Sequence, residues 1–414
     1  MTEQTASKVP QIRFKGFEGD WEDKSIGEVL SEKKRPIVLK DHQRYELITV
    51  KRRNEGVVSR GHLFGRDILV KNYYQLQTGD FVISKRQVVH GATGMIPPKL
   101  DGAIVSNEYL VAVNSSKLLT EFLTILSSLP AMRQKFFLSS YGVDIEKLFF
   151  DAEDWKKRNV TIPDVTEQTQ IGEYFRELDS LIGLHQRKHD KLVTLKKAML
   201  QKMFPQPGAT IPEIRFKGFS GDWVESKLSE LCDLFTDGDW IESKDQSASG
   251  IRLLQTGNVG VNEFIDKADK ARWISLDTFE RLNCEEVFAG DILISRLPEP
   301  AGRACIVPKL SHRVITAVDC TIVRTTKNCD PLFLVQHCAL DSYFQTVKNY
   351  LGGGTRQRIS RSALGNFFIQ VPKFEEQQKI GTYFRTLDAL MSKHATQLQK
   401  LQQIKSACLE KMFV

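Results

Sequence analysis

The stretch that decides the fold is Pro163–Phe204, which opens PDVTEQTQIGEYFRELDSLIGLHQ and closes KAMLQKMF. It recurs at Pro372–Phe413, opening PKFEEQQKIGTYFRTLDALMSKHA and closing SACLEKMF, with 20 of 42 ungapped positions identical. Proline at the mouth of each copy suits the first turn of a helix and not its interior. Asp164 followed by Glu167 has the spacing of an N-terminal cap, with Asp in place of the usual Ser or Thr. Apolar residues then alternate steps of four and three. The seam is Ile171, Phe175, Leu178, Ile182, Leu192 and Met199 in the first copy, and Ile380, Phe384, Leu387, Met391, Leu398 and Leu401 in the second. Such a period wants another helix of the same kind, and the other copy is the natural partner. About 33 residues of helix make a rod roughly 50 Å long. The plainer alternative is two amphipathic helices, each packed on its own domain. The internal match favours mutual pairing about a pseudo-twofold axis.

Moving outward, a second repeat precedes each long helix. VPQIRFKGFEGDWEDKSIGEV at 9–29 matches IPEIRFKGFSGDWVESKLSEL at 211–231 at 11 of 21 positions. The Gly-Asp pair before Trp21 and Trp223 reads as a turn that seats an aromatic anchor. The RFKGF strip is expected to be structural, with aromatics packed and charges solvated. The chain is therefore a tandem duplication. Its expected parts are a disordered 1–8, a leader and globular module at 9–162, a long helix at 163–204, a Pro/Gly linker at 205–212, a second leader and module at 211–371, and a second long helix at 372–414.

Between leader and helix the two copies share only echoes. Thr78-Gly79-Asp80 before FVISK matches Ala289-Gly290-Asp291 before ILISR, and GMIPPKL at 94–100 matches ACIVPKL at 304–310. These segments, rich in Val, Ile and Phe, read as short strands. Residues 116–129 and 331–347 read as one helix each. The fold class is therefore α/β (α+β), with each module of roughly 140 residues. A common frame with divergent contents suggests one job done on two targets.

The 414 residues suit two or three domains, and 41% hydrophobic content supplies real cores. Net charge +7 and pI about 8.9 are compatible with nucleic acid. The polar start predicts no signal peptide, and no apolar run predicts a membrane span. The seven cysteines are odd in number and form no CxxC pair, so a disulfide framework or zinc site is not expected and a reducing cytoplasm is. No GxxxxGK[ST] loop, no GxGxxG after a strand, no Asn-Pro-Pro-aromatic motif and no HExxH spacing occurs. The chain is expected to recognise rather than catalyse, and to hold no metal. His185 and His394, at matching places in the two helices, read as packed neutral seam residues.

Basic residues gather at turns within each module: Lys51, Arg52, Arg53 and Arg60; Lys85 and Arg86 after FVIS; Arg296 and Arg303 after ILIS. Thr355, Arg356, Gln357 and Arg358 follow three glycines. Guanidinium and amide groups on flexible backbone suit phosphates and base edges, with Arg able to pair with guanine and Gln with adenine. These are the candidate DNA contacts.

The doubled IRFKGF-GDW leader, the doubled P-x(3)-EQ-x(2)-IG-x-YF-x(2)-LD helix start and the closing KMF together resemble the specificity subunit of type I restriction-modification enzymes over nearly the whole chain. The resemblance implies two target-recognition domains separated by an antiparallel coiled coil, each reading one half of a split, asymmetric site on double-stranded DNA. It implies no catalysis and no cofactor in this chain. Two modification subunits would bind S-adenosylmethionine and methylate adenine, and restriction subunits using ATP and Mg²⁺ can join. Leu181, Leu184, Leu195 and Leu200 lie off the seam and would help dock the modification subunits. The alternative is a stand-alone, two-headed DNA-binding adaptor without a methylase partner. The second module keeps the family's Gly-Gly-x-x-Gln-x-x-Ile-Ser pattern, but the first has SSYGVDIEKL at 139–148, so contacts at that loop do not carry over.

Overall fold

The computed structural model describes residues 8–69, 72–353 and 357–414. The chain divides into two units, Met1–His185 with Gln397–Val414, and Gln186–Thr396. The first runs β1 (Glu22–Ser25), α1 (Ile26–Val29), β2 (Ser31–Glu32), β3 (Pro36–Ile37), β4 (Arg44–Val50), β5 (Val57–Phe64), β6 (Tyr73–Gln75), β7 (Phe81–Ser84), β8 (Thr93–Met95), β9 (Ile104–Ser106), β10 (Tyr109–Val113), α2 (Thr120–Ser128), α3 (Pro130–Leu138), β11 (Ser140–Tyr141), β12 (Phe149–Phe150), α4 (Ala152–Lys156) and β13 (Asn159–Ile162), then enters the long helix α5 (Val165–Met203). The second runs β14 (Val224–Lys227), β15 (Cys232–Asp237), β16 (Gln246–Ser247), β17 (Ile251–Leu254), β18 (Arg272–Ile274), α6 (Leu276–Leu282), β19 (Ile292–Ser295), β20 (Ala304–Ile306), β21 (Val314–Thr316), β22 (Cys320–Thr325), α7 (Pro331–His337), α8 (Asp341–Asn349), α9 (Arg361–Gly365), β23 (Phe368–Val371) and the long helix α10 (Phe374–Lys411).

One sheet has the same order in both units, β2-β10-β7-β8 and β15-β22-β19-β20. FVIS and ILIS form its buried strands β7 and β19, which is why they read as unbroken apolar runs. The turn before each uses a glycine with positive φ, Gly79 at +88° and Gly290 at +99°. The aspartate that follows closes the turn. Asp80 accepts from the Gln77 amide and Asp291 from the Phe288 amide, both at 2.8 Å. Each then takes an arginine fork from a different part of the chain, Arg35 for Asp80 and Arg324 for Asp291. The second sheet, β3-β6-β9-β4-β5 in one unit and β16-β18-β17-β21 in the other, keeps one parallel pair in common, β4 with β9 and β17 with β21.

Two readings need correction. Strand pairing sets Met95 opposite Phe81 and Ile306 opposite Ile292, so Met95 corresponds to Ile306 and not to Cys305. The PKL match lies one residue out of that register, and a slip of one exchanges the two faces of a strand. The stretch 331–347 is also not one helix. Leu340 is extended, at ψ 143°, and divides α7 from α8. In the first unit Leu129 does the same at ψ 147°, and Pro130 opens α3 as its first residue. Proline is pre-set for that position and disfavours helix in the residue before it.

The repeated motif at each helix start is a clamp. Arg13 gives a two-pronged ion pair to Glu167, and Arg215 gives the same to Glu376, with every bond at 2.7 or 2.8 Å. The carboxylates are almost wholly buried, at 1% and 0% exposure. The leader arginines are thus paired, not solvated as expected. Asp164 accepts from the Glu167 amide at 2.9 Å and serves as the cap. Gln168 donates to the carbonyls of Lys117 and Pro163, as Gln377 does to those of Asn328 and Pro372. The glycine of the IG pair lets another helix close in: a Cβ at Gly381 would sit 2.6 Å from the Leu332 Cβ. Phe14 packs edge-on to Tyr174, and Phe216 to Tyr383. Trp21 and Trp223 are buried.

Within each unit the start of one long helix meets the end of the other. In the first unit Tyr174 lies beside Cys408, and Asp179 pairs with Lys405. In the second unit Lys196 pairs with Asp388 at 2.6 Å. The index falls on one helix as it rises on the other, so the helices run antiparallel. Every seam residue is buried or half-buried: Ile171, Phe175, Leu178, Ile380, Phe384 and Leu387 fully, Ile182, Leu192, Met199, Met391, Leu398 and Leu401 partly. The buried ones join the cores. Ile171, Phe175 and Met412 pack with Trp21, Phe122 and Trp155, whereas Met203, Phe204, Ile380 and Phe384 pack with Trp223 and Phe333. Lys8, expected to be disordered, accepts a bond from the Trp21 amide at 2.9 Å.

Candidate nucleic-acid interface

Three loops converge in each unit: one after β4 or β17, one between β7 and β8 or β19 and β20, and a hairpin. In the first unit Lys51 donates its amide to Gly56 at 2.9 Å and closes the first loop. Asn54 donates its amide to the Gly91 carbonyl at 2.8 Å and its side chain to Thr93 at 2.9 Å. Gly91 is required there, since its φ is +75° and a Cβ would lie 2.8 Å from the Asn54 side chain. Arg52 then ties all three loops together, donating to Gln87 and to Glu146 at 2.8 Å each. Arg53 and Arg60 are exposed and have no carboxylate within ion-pair reach among the described residues. Lys51 is 4.0 Å from Glu55, Lys85 donates to the Asn107 carbonyl, and Arg86 pairs with Glu108 and lies over the Phe149 ring.

The second unit uses its arginines differently. Arg296 is buried, donates to the Val318 carbonyl at 2.5 Å and lies 3.3 Å from Asp237. Arg303 donates to the carbonyls of Thr256, Val259, Leu297 and Pro300, all within 2.9 Å. Both were expected to face DNA, but their donors point inward and hold loops in place. The reason is local. Arg303 occupies the place of Ala92, whose carbonyl accepts from Ser84 as that of Arg303 accepts from Ser295. The loop Thr256-Gly257-Asn258 carries no arginine, so Arg303 reaches across to pin it.

The hairpin of the second unit is closed by paired amide bonds between Gly352 and Arg358, at 3.0 and 2.9 Å. Gln357 and Arg358 are exposed, with Arg358 3.6 Å from Asp319. Thr355 and Arg356 lie outside the described residues. Ile359 is buried and donates its amide to the Arg296 carbonyl, and Ser360 caps α9 through the Ala363 amide. In the first unit Phe150 donates to the Lys85 carbonyl, and Asp151 caps α4. Phe150 and Asp151 therefore stand where Ile359 and Ser360 do. SSYGVDIEKL is a longer version of the same hairpin, closed by β11 and β12, with an acidic tip bearing Asp144 and Glu146. Only the backbone bond reveals this, because the anchoring side chains share no identity.

Several residues escaped the sequence reading. Lys33 and Lys34 are exposed just after β2, and their run could have been noticed. Trp240, three residues past the end of β15, is 70% exposed, and nothing in its neighbours signals that. Beside it Asp239 is half-buried, and burial raises its carboxyl to about 6. No group of three or more metal-ligating side chains occurs among the described residues, and His185 and His394 are half-buried. No described helix is long and apolar enough to cross a membrane.

Two like frames with unlike loops define a duplicated recognition protein. Residues 18–194 and 220–405 match the type I restriction modification DNA specificity domain, and the chain belongs to that family. The chain is accordingly a specificity subunit, whose part is DNA recognition alongside methyltransferase and restriction subunits that carry the catalysis. Among curated relatives it is similar to the type I restriction enzyme MjaVIII specificity subunit of Methanocaldococcus jannaschii, 20% identical over 411 residues, spanning 93% of this chain and 90% of that protein. Among solved structures it resembles the type I restriction-modification S subunit from M. genitalium, with TM-score 0.55 and 13% identity over 98% of this chain and 99% of that one. The HsdS subunit from Thermoanaerobacter tengcongensis matches at TM-score 0.47 and 18% identity, over 95% and 96% of the two chains.

Proposed function

We propose that each unit reads one half of a two-part, asymmetric DNA site, and that the paired helices set the gap between the halves. The observation that carries this is the repetition of one frame, sheet, clamp and hairpin anchor alike, with different side chains on its loops. DNA repeats every ~34 Å, so readers on one side of the duplex engage sites about a turn apart. Each long helix begins in one unit and ends in the other, and 39 residues of α5 span roughly 58 Å.

Two modification subunits bind, one for each unit. Support comes from exposed apolar residues that recur at matching positions of the two long helices, Leu181 with Leu390 and Leu195 with Ile404. Leu184 is also exposed, whereas Leu200 packs on the core. S-adenosylmethionine, ATP and Mg²⁺ are held by partner subunits, two restriction subunits can join, and the complex works in the cytoplasm. The test is to express the chain with its modification partner and map methylated adenines genome-wide. A two-part motif with a fixed gap is expected, and removing one heptad from each long helix shortens the gap while leaving both halves unchanged. A one-piece motif defeats the two-reader function, and an unaltered gap defeats the ruler.

A further inference from the structure

The β4–β5 ribbon pairs at seven positions, whereas its counterpart in the other unit, β17–β18, pairs at three. β5 is eight residues long, about 27 Å, and forms the outer edge of its sheet. From Ser59 to Phe64 every residue is exposed. Open edges of this length are normally covered, since their unpaired backbone invites association. In the second unit the corresponding β18 has three residues, β16 pairs along its outer side, and α6 follows it, with Phe279 and Leu282 packed on the sheet. The frame can therefore close this edge, and in the first unit it leaves it open.

The open ribbon has the chemistry of a nucleic-acid reader. At its open end one face, given by the pairing register, carries Arg44 opposite Phe64 and Glu46 opposite His62. Arg60 is the additional residue where the register shifts, next to Gly61 at φ +104°. Arg44 and Arg66 both lie over the Phe64 ring, at 5.8 and 5.1 Å, which stiffens the open end. At the closed end sit Lys51, Arg52 and Arg53. A two-stranded ribbon fits the major groove, about 12 Å wide, and a carboxylate there can accept from the cytosine amino group while arginine donates to guanine. A purely phosphate-binding surface would not place Glu46 at the middle of its face.

We propose that this ribbon enters the major groove, with Glu46, Arg60 and His62 setting base preference in the half-site read by the first unit. The proposal rests on the two-reader function above. Its test uses the full chain with its modification partner, and measures binding to duplexes in which each base pair of the parent motif is changed in turn. Glu46→Gln and His62→Ala are each expected to alter preference by tenfold or more at one or two positions of a single half, with the other half unmoved. His62 is exposed and Glu46 is half-buried with no ion pair among the described residues, so melting temperature should stay near the parent value. Arg60→Gln should lessen the salt dependence of binding by about one counterion. Unchanged preference in both the Glu46 and His62 variants overturns the ribbon, as does a loss spread evenly over all sequences, or a ribbon whose variants impair only assembly with protein. A parent motif in one piece would instead bring down the two-reader function itself.

Discussion

The first unit ties its reading loops with main-chain bonds and one exposed arginine, Arg52, whereas the second ties them with two arginines drawn inward, Arg296 and Arg303. Asn54 and Gly91 meet through main-chain atoms, which leaves Arg53 and Arg60 facing solvent. In the second unit Arg296 and Arg303 are drawn inward, and exposed polar groups pass to the hairpin at Gln357 and Arg358. The difference teaches that equivalent position does not mean equivalent duty. A basic residue after the central strand reads as a DNA contact in both sequences, yet its duty depends on what the neighbouring loop can supply for itself.

Breaking what the units share should have the largest effect. Glu167→Ala or Glu376→Ala leaves an arginine without its partner, and Arg13→Ala or Arg215→Ala strands a buried carboxylate. Removal of one member of a buried pair costs about 3–5 kcal/mol, so each arginine variant should destabilise its own unit by that order in denaturant titration. Equal losses for Arg13→Ala and Arg215→Ala would show that the two clamps are energetically alike.

A smaller effect is expected where the units differ. Gln357→Ala should change base preference only in the half-site of the second unit, by about 1–3 kcal/mol, read from the methylated motif. The same change at Gln87, tied to Arg52 in the first unit, should act through loop position and slow methylation without altering the motif. A shift in motif from Gln87→Ala would erase the distinction between reading and bracing residues.

The smallest effect is on pH dependence. Burial lowers the His337 imidazole to about 4, and its Nδ1 has no partner. A histidine with a folded value below its unfolded one supports the fold above pH ~6.5, and that support drains away as pH falls toward 4. The second unit should therefore melt at lower temperature across that window, and His337→Phe should flatten the trend. The first unit has Leu126 in the matching helix and lacks this source of acid sensitivity. Thermal scans from pH 7 to 4.5 check the contrast.

Much of this was readable in advance, and the reason is repetition. Duplicated Arg13 and Arg215, Glu167 and Glu376, and Gln168 and Gln377 announced a shared device before its geometry was known. The seam was readable because a period of four and three has one geometric meaning. The break at Leu340 and the slip at Met95 were not readable. Each depends on a single residue's backbone or on pairing with a distant strand, and local pattern is blind to both.

By itself the sequence determined the duplicated plan, the two long helices, their apolar stripe and the family, because these rest on periodicity and identity within the chain. Tertiary structure decided which arginines look outward, that the hairpin closed by β11 and β12 and the one closed at Gly352 and Arg358 share one anchor, and that one sheet edge lies open. Those outcomes turn on competition for hydrogen bonds among loops far apart in sequence. Burial and pairing settle such contests only after the chain has folded.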